Sequence, residues 1–66
     1  MTCEENLIEA TVSLIDAKYH VNAAQVRGEI EGKYTPPTSV RRDIMNALVT
    51  LENVIDAWRK EIEVAS

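Results

Sequence analysis

Apolar side chains recur at alternating steps of three and four along most of the chain, and that spacing predicts two long helices and no strand. The first series is Ile8, Val12, Ile15, Tyr19, Asn22, Val26 and Ile30, and the second is Val40, Ile44, Leu48, Leu51, Ile55, Trp58 and Ile62. Run antiparallel, the two series match pair by pair: Ile8 with Ile62, Val12 with Trp58, Ile15 with Ile55, Tyr19 with Leu51, Asn22 with Leu48, Val26 with Ile44 and Ile30 with Val40. Each pair of positions adds up to the same total, as the facing residues of an antiparallel hairpin must. Alternation of three and four is also the spacing of left-handed coiled-coil packing. Asn22 is the single polar member, either a buried residue that fixes register or a local break in the first helix.

The helix ends are equally legible. Thr2-Cys3-Glu4-Glu5 fits a capping box, which starts helix 1 at about residue 3. The stretch Gly32-Lys33-Tyr34-Thr35-Pro36-Pro37-Thr38-Ser39 is the one punctuation of the chain, with glycine suited to a left-handed C-cap and proline to a first helical turn. Helix 1 is therefore expected over about residues 3–32. Helix 2 is expected over about residues 36–64, capped by Thr35, Thr38 or Ser39. The expectation is an all-α, antiparallel two-helix hairpin forming one domain over residues 1–66.

Helix 1 carries a second stripe of the same spacing: Cys3, Leu7, Ala10, Leu14, Ala17, Val21, Ala24 and Gly28. One partner helix cannot cover both stripes, so Leu7, Ala10, Leu14, Ala17, Val21 and Ala24 are read as a dimer interface, joined by Ala47, Val54 and Ala65. Chain length strengthens this reading. A core built from 66 residues supplies about 3–5 kcal/mol unless something else helps. A single cysteine forms no disulfide within the chain, and one histidine, His20, with Asp16 four residues before it falls short of the four ligands of structural zinc. Self-association into a four-helix bundle is the remaining source of stability, an arrangement that resembles small dimeric bundle regulators in fold alone.

Charge and candidate chemistry narrow the function classes. Net charge is −4, which disfavours generic binding to nucleic acid or anionic membranes, and no apolar run reaches the ~18 residues of a membrane span. The lone thiol and the lack of a basic leader at the start predict a cytoplasmic protein. Cys3 is expected as a small buried residue, and Tyr19 and Trp58 as core. No nucleophile elbow, phosphate loop or Cys/His cluster is present, so neither an enzyme nor a cofactor or metal site is expected.

The charges are unevenly placed. From Gln25 to Met45 four cations (Arg27, Lys33, Arg41, Arg42) meet three anions (Glu29, Glu31, Asp43), whereas the rest of the chain holds three cations against eight anions. Arg41 and Arg42 open helix 2, where the helix dipole favours a carboxylate over a cation. Together with Thr38, Ser39 and the free amides of the first turn they suggest a site for a phosphate or a partner's carboxylate, unless Glu29, Glu31 or Asp43 neutralises them. Tyr34, in the bend, is either a lid or an anchor for a partner. The expected function is a small protein-binding regulator, an adaptor or inhibitor of phage or plasmid type. It is expected to act as a homodimer and to bind its partner through Tyr34, Thr38, Ser39, Arg41 and Arg42. Asn46, Thr50, Asn53 and Arg59 form a second candidate surface.

Residues 22–48, NAAQVRGEIEGKYTPPTSVRRDIMNAL, resemble a helix-turn-helix DNA-binding unit, with Asn22 capping a short second helix and Thr38–Ile44 opening a recognition helix. The resemblance implies that Arg41 and Arg42 contact phosphates or guanines, with Lys33 and Arg27 positioning the backbone. It also requires a corner in helix 1 near Asn22.

Overall fold

The computed structural model describes residues 1–65 and contains two helices, α1 (Cys3–Glu31) and α2 (Thr38–Ala65), folded back on each other as an antiparallel hairpin. Among the described residues there is no strand. The Cα atoms fill a slab of 52 × 23 × 9 Å, one helix thick.

The capping box at the start of α1 is formed in full. The Glu5 amide donates to the Thr2 hydroxyl at 3.1 Å, and the Thr2 amide donates to the Glu5 carboxylate at 3.2 Å. The helix continues through Asn22 without a corner. It ends at Gly32, whose φ of 69° places it in the left-handed region that glycine occupies without a Cβ clash. The Lys33 amide then donates to the Gly28 carbonyl at 2.9 Å and the Gly32 amide to the Glu29 carbonyl at 3.4 Å, so two of the last four carbonyls of α1 are satisfied.

The start of α2 lies two residues later than the sequence spacing suggests, and none of Thr35, Thr38 and Ser39 caps it with a side chain. A proline pushes the residue before it out of the helical region, so Pro37 keeps Pro36 extended and excludes it from a first turn. The Pro37 carbonyl accepts the amides of Val40 (3.0 Å) and Arg41 (3.2 Å), which sets Pro37 at the cap position.

The hairpin is as expected, but both helices are rotated about their own axes relative to the predicted seam, α1 further than α2. Among the described residues Leu7 is the one buried hydrophobic, at 6% exposure, and Leu14, Ala17, Val21 and Gly28 are half-buried along the same stripe. Ile8, Val12, Ile15, Tyr19, Val26 and Ile30, the predicted seam, are exposed instead, and so are Val40, Ile44, Leu51 and Trp58 from the second series. The inward row of α2 is Arg41, Met45, Leu48, Glu52, Ile55, Arg59 and Ile62. The physical reason lies in side-chain size. A row that includes Ala10, Ala17 and Gly28 lets two backbones approach closely, and at the bend a Cβ on Gly28 would stand 2.7 Å from the Thr35 methyl group. The small stripe therefore fits beneath α2 and the short connection, and the bulky row is left outside.

Successive helical residues are about 100° apart, which fixes where the displaced rows go. The row Ile8, Val12, Ile15, Tyr19 and Val26 lies roughly a third of a turn from the inward row of α1 and faces one broad side of the slab. The row Val40, Ile44, Ala47, Leu51, Val54 and Trp58 lies about a quarter turn from the inward row of α2. Because α2 runs the other way, that row emerges on the opposite broad side, next to Ala10, Ala17 and Ala24.

Candidate interaction surfaces

At the bend, Val21, Ala24, Tyr34, Pro36, Arg41 and Ile44 line a groove of about 280 Å³ between the end of α1 and the start of α2. The structure thus brings Tyr34 and Arg41 together. Thr38, Ser39 and Arg42 are exposed in the first turns of α2 but do not line this groove. Tyr34 is displayed rather than packed, at 86% exposure.

Neighbouring carboxylates do not neutralise the two arginines. Glu31 lies 3.5 Å from Arg27 Nε and 3.7 Å from Lys33 Nζ, and Glu29 accepts a hydrogen bond from the Gln25 side-chain amide at 2.9 Å. Among the described residues no ion pair reaches Arg41 or Arg42, and Asp43 makes none. Arg41 is half-buried, which withdraws it further from water than Arg42. Both guanidinium groups have open donors, Arg41 in an apolar groove and Arg42 on the other side of α2, and each can donate paired hydrogen bonds to a planar carboxylate or a phosphate.

The residues assigned to a dimer divide into two sets. Leu7, Leu14 and Val21 are engaged with α2 inside the hairpin, while Ala10, Ala17 and Ala24 border the uncharged broad face. Ala47 and Val54 share that face, and both are exposed. Between the bend and Trp58 the rows on this side hold no Asp, Glu, Lys or Arg, while Arg41 lines the groove at the bend end and Glu61 continues the Val54 row at the other. The opposite face is mixed: the bulky row of α1 runs beside the Asp56–Lys60 pair and Arg42 of α2, with a second shallow cavity of about 300 Å³ lined by Tyr19, Asn22, Ala23 and Val26.

Several expected placements are corrected. Cys3 is exposed, not buried, because it sits in the first turn before α2 can reach it. Trp58 (56% exposed) and Tyr19 (68%) lie outside the interhelical contact, and Tyr19 meets His20 edge-on with ring centroids 5.4 Å apart. In the second candidate surface Asn46, Thr50 and Asn53 are exposed, but Arg59 turns toward α1. Asn22 is an exposed mid-helix residue and caps nothing, so residues 22–48 form the ends of two long antiparallel helices instead of two short helices crossing at a tight turn.

Sequence reasoning missed the polar contact between the helices, Lys18 with Glu52 at 2.7 Å. The signal was present: their positions add up to the same total as every pair of the predicted seam. Among the described residues no three His, Cys, Asp or Glu side chains form a metal-binding group. Among the described residues no helix is long and apolar enough to cross a membrane.

These features define the chain as an all-α helical hairpin with an uncharged apolar face and a basic bend. No protein-family model, curated protein or solved structure matches it.

Proposed function

We propose that the chain is a small cytoplasmic regulator that works as a homodimer and acts by binding another protein, as an adaptor or inhibitor, without chemistry of its own. The bend makes the contact: Tyr34 and the guanidinium groups of Arg41 and Arg42 engage an acidic segment of the partner, with Thr38 and Ser39 beside them. The observation that carries this reading is the unpaired state of Arg41 and Arg42 while every nearby acid but Asp43 is taken up elsewhere. Cations at the positive end of a helix are unfavourable locally, so an external anion relieves the arrangement. Tyrosine and arginine are also among the residue types enriched at energetically dominant contacts.

The test is capture of partners from the native host by wild-type protein and by a Tyr34→Ala/Arg41→Glu variant. A stoichiometric protein held by the first and released by the second is the expected result. Equal retention by both overturns the assignment of the bend. Duplex DNA is the control ligand: tight association that weakens steeply with salt and disappears with Arg41→Ala/Arg42→Ala replaces the protein-binding reading with a DNA-binding one.

A further inference from the structure

Two rows on the uncharged face are set in step. Ala10, Ala17 and Ala24 of α1 recur every seven residues, and so do Trp58, Leu51 and Ile44 of α2. Because the helices are antiparallel, Ala10 lies within about 3 Å of the height of Trp58, and likewise Ala17 of Leu51 and Ala24 of Ile44. The last pair is seen directly, both residues lining the groove at the bend. Each of these three large side chains therefore has a small one beside it at nearly the same height. The large ones are largely uncovered: Leu51 is 49% exposed and Trp58 56%.

We infer that a second copy of this chain covers this face, related by a two-fold axis parallel to the helices, so that α1 of one copy lies over α2 of the other. The inference deepens the homodimer part of the proposed function and rests on it. A rotation about such an axis preserves height along the helices while exchanging left and right. It sets Leu51 of one copy over Ala17 of the other, and likewise Ile44 over Ala24 and Trp58 over Ala10. Large side chains then enter the spaces left by small ones at all three levels, which is what dense packing between flat layers requires. A two-fold axis across the helices instead sets large rows on large and small on small, forcing the slabs apart along one edge.

Area selects a second copy over a small ligand. A compact monomer of this mass exposes roughly 4,200 Å² by size scaling. This chain exposes 5056 Å². The excess, roughly 850 Å², is about what each partner contributes to an interface of standard size. The opposite face is less suited to the role, because there the apolar row of α1 runs beside charged residues of α2.

The arrangement has an electrostatic signature. Both bends come to one pole, and the acidic opposite ends, with Glu4, Glu5, Glu61 and Glu63, come to the other. Like charges meet, at a distance where salt screens them within about 8–10 Å. The dimer therefore tightens as ionic strength rises. It also fills the apolar part of the groove at each bend and brings Tyr34 and Arg41 of both copies to one pole, with Arg42 on the outer side of each copy.

Sedimentation and cross-linking test this in combination. Leu51→Glu is expected to weaken the dimer by about 100-fold or more, since a carboxylate is forced into an apolar contact. Ile15→Glu, on the other face and as exposed as Leu51, is expected to leave it intact, with circular dichroism confirming that both variants stay helical. In a Cys3→Ser background, Ala17→Cys and Leu51→Cys chains are mixed and oxidised. Disulfides between the two variants, in preference to disulfides within either population, support the axis parallel to the helices. Preferential Ala17→Cys homodimers, or a dimer that loosens with added salt, overturn that axis while the dimer stands. Dissociation by Ile15→Glu but not by Leu51→Glu overturns the choice of face. A wild-type monomer at every concentration overturns the homodimer itself.

Discussion

Nζ of Lys18 lies 2.7 Å from Oε1 of Glu52, and among the described residues this is the ion pair that joins α1 to α2. The Glu52 oxygen is buried and makes no aligned hydrogen bond, so its charge is balanced by proximity to the ammonium alone. Removing the cation leaves a carboxylate at a half-covered interface with nothing opposite. Lys18→Met is expected to destabilise the hairpin by about 1–2 kcal/mol, more than an exposed pair contributes. Lys18→Met/Glu52→Leu should recover most of that loss, because an apolar pair of similar volume needs no compensation. Urea unfolding at one fixed protein concentration measures both. A double variant as unstable as the single one contradicts this account.

The same pair shows how much of the fold could be read from the chain. Its positions add up to the total shared by the predicted seam, so the axial register of the hairpin was legible. Rotation of α1 was not, because matching positions along an axis says nothing about which side of the helix does the matching. Two stripes of α1 have equal spacing, and the bulkier one offered the larger apolar area. What decided between them is closeness of approach, seen at Gly28, a property of backbone separation that no hydrophobicity pattern records. The bend residues were legible as candidates from composition alone. That Glu31 would turn to Arg27 and Lys33, leaving Arg41 and Arg42 open, depends on side-chain reach and only the structure reveals it.

Gly28 tests closeness of approach directly. In an exposed helix interior, Gly→Ala gains about 0.5–1 kcal/mol from reduced chain entropy. Here the new methyl would stand 2.7 Å from the Thr35 methyl, and Thr35 is held between Tyr34 and Pro36. Gly28→Ala is expected to be neutral or destabilising. In a Thr35→Ser background, where the obstructing methyl is gone, the same substitution should become stabilising by about 0.5–1 kcal/mol. A thermodynamic cycle over the four proteins reads the coupling. Equal effects in both backgrounds would mean that the bend does not press on Gly28.

The two ends of α1 are held by different means, and their losses should differ. Gly32 has a φ of 69°, where a Cβ clashes with the chain itself, so Gly32→Ala should cost about 1–2 kcal/mol despite open space around it. Thr2→Ala removes one hydrogen bond of the capping box and should cost about 1 kcal/mol. Hydrogen exchange separates them: Thr2→Ala should speed exchange in the first turn alone, whereas Gly32→Ala should loosen the bend and both helix ends that meet there.

The rotation of α1 makes a prediction about two neighbours in sequence. Leu14 is half-buried against α2, and Ile15 is 52% exposed on the outer row. If the small stripe is the interhelical contact, Leu14→Ala removes packed apolar area and should cost about 2–3 kcal/mol. Leu7→Ala, at the one buried position, should cost at least as much. Ile15→Ala should cost under about 1 kcal/mol, since a half-exposed side chain gives up little burial. A hairpin zipped through the bulky row reverses this order, with Ile15 the costly site and Leu14 the tolerant one. A total stability of only about 3–5 kcal/mol would let Leu7→Ala unfold the chain outright, so the comparison is made in a stabilising osmolyte, where all three midpoints remain measurable.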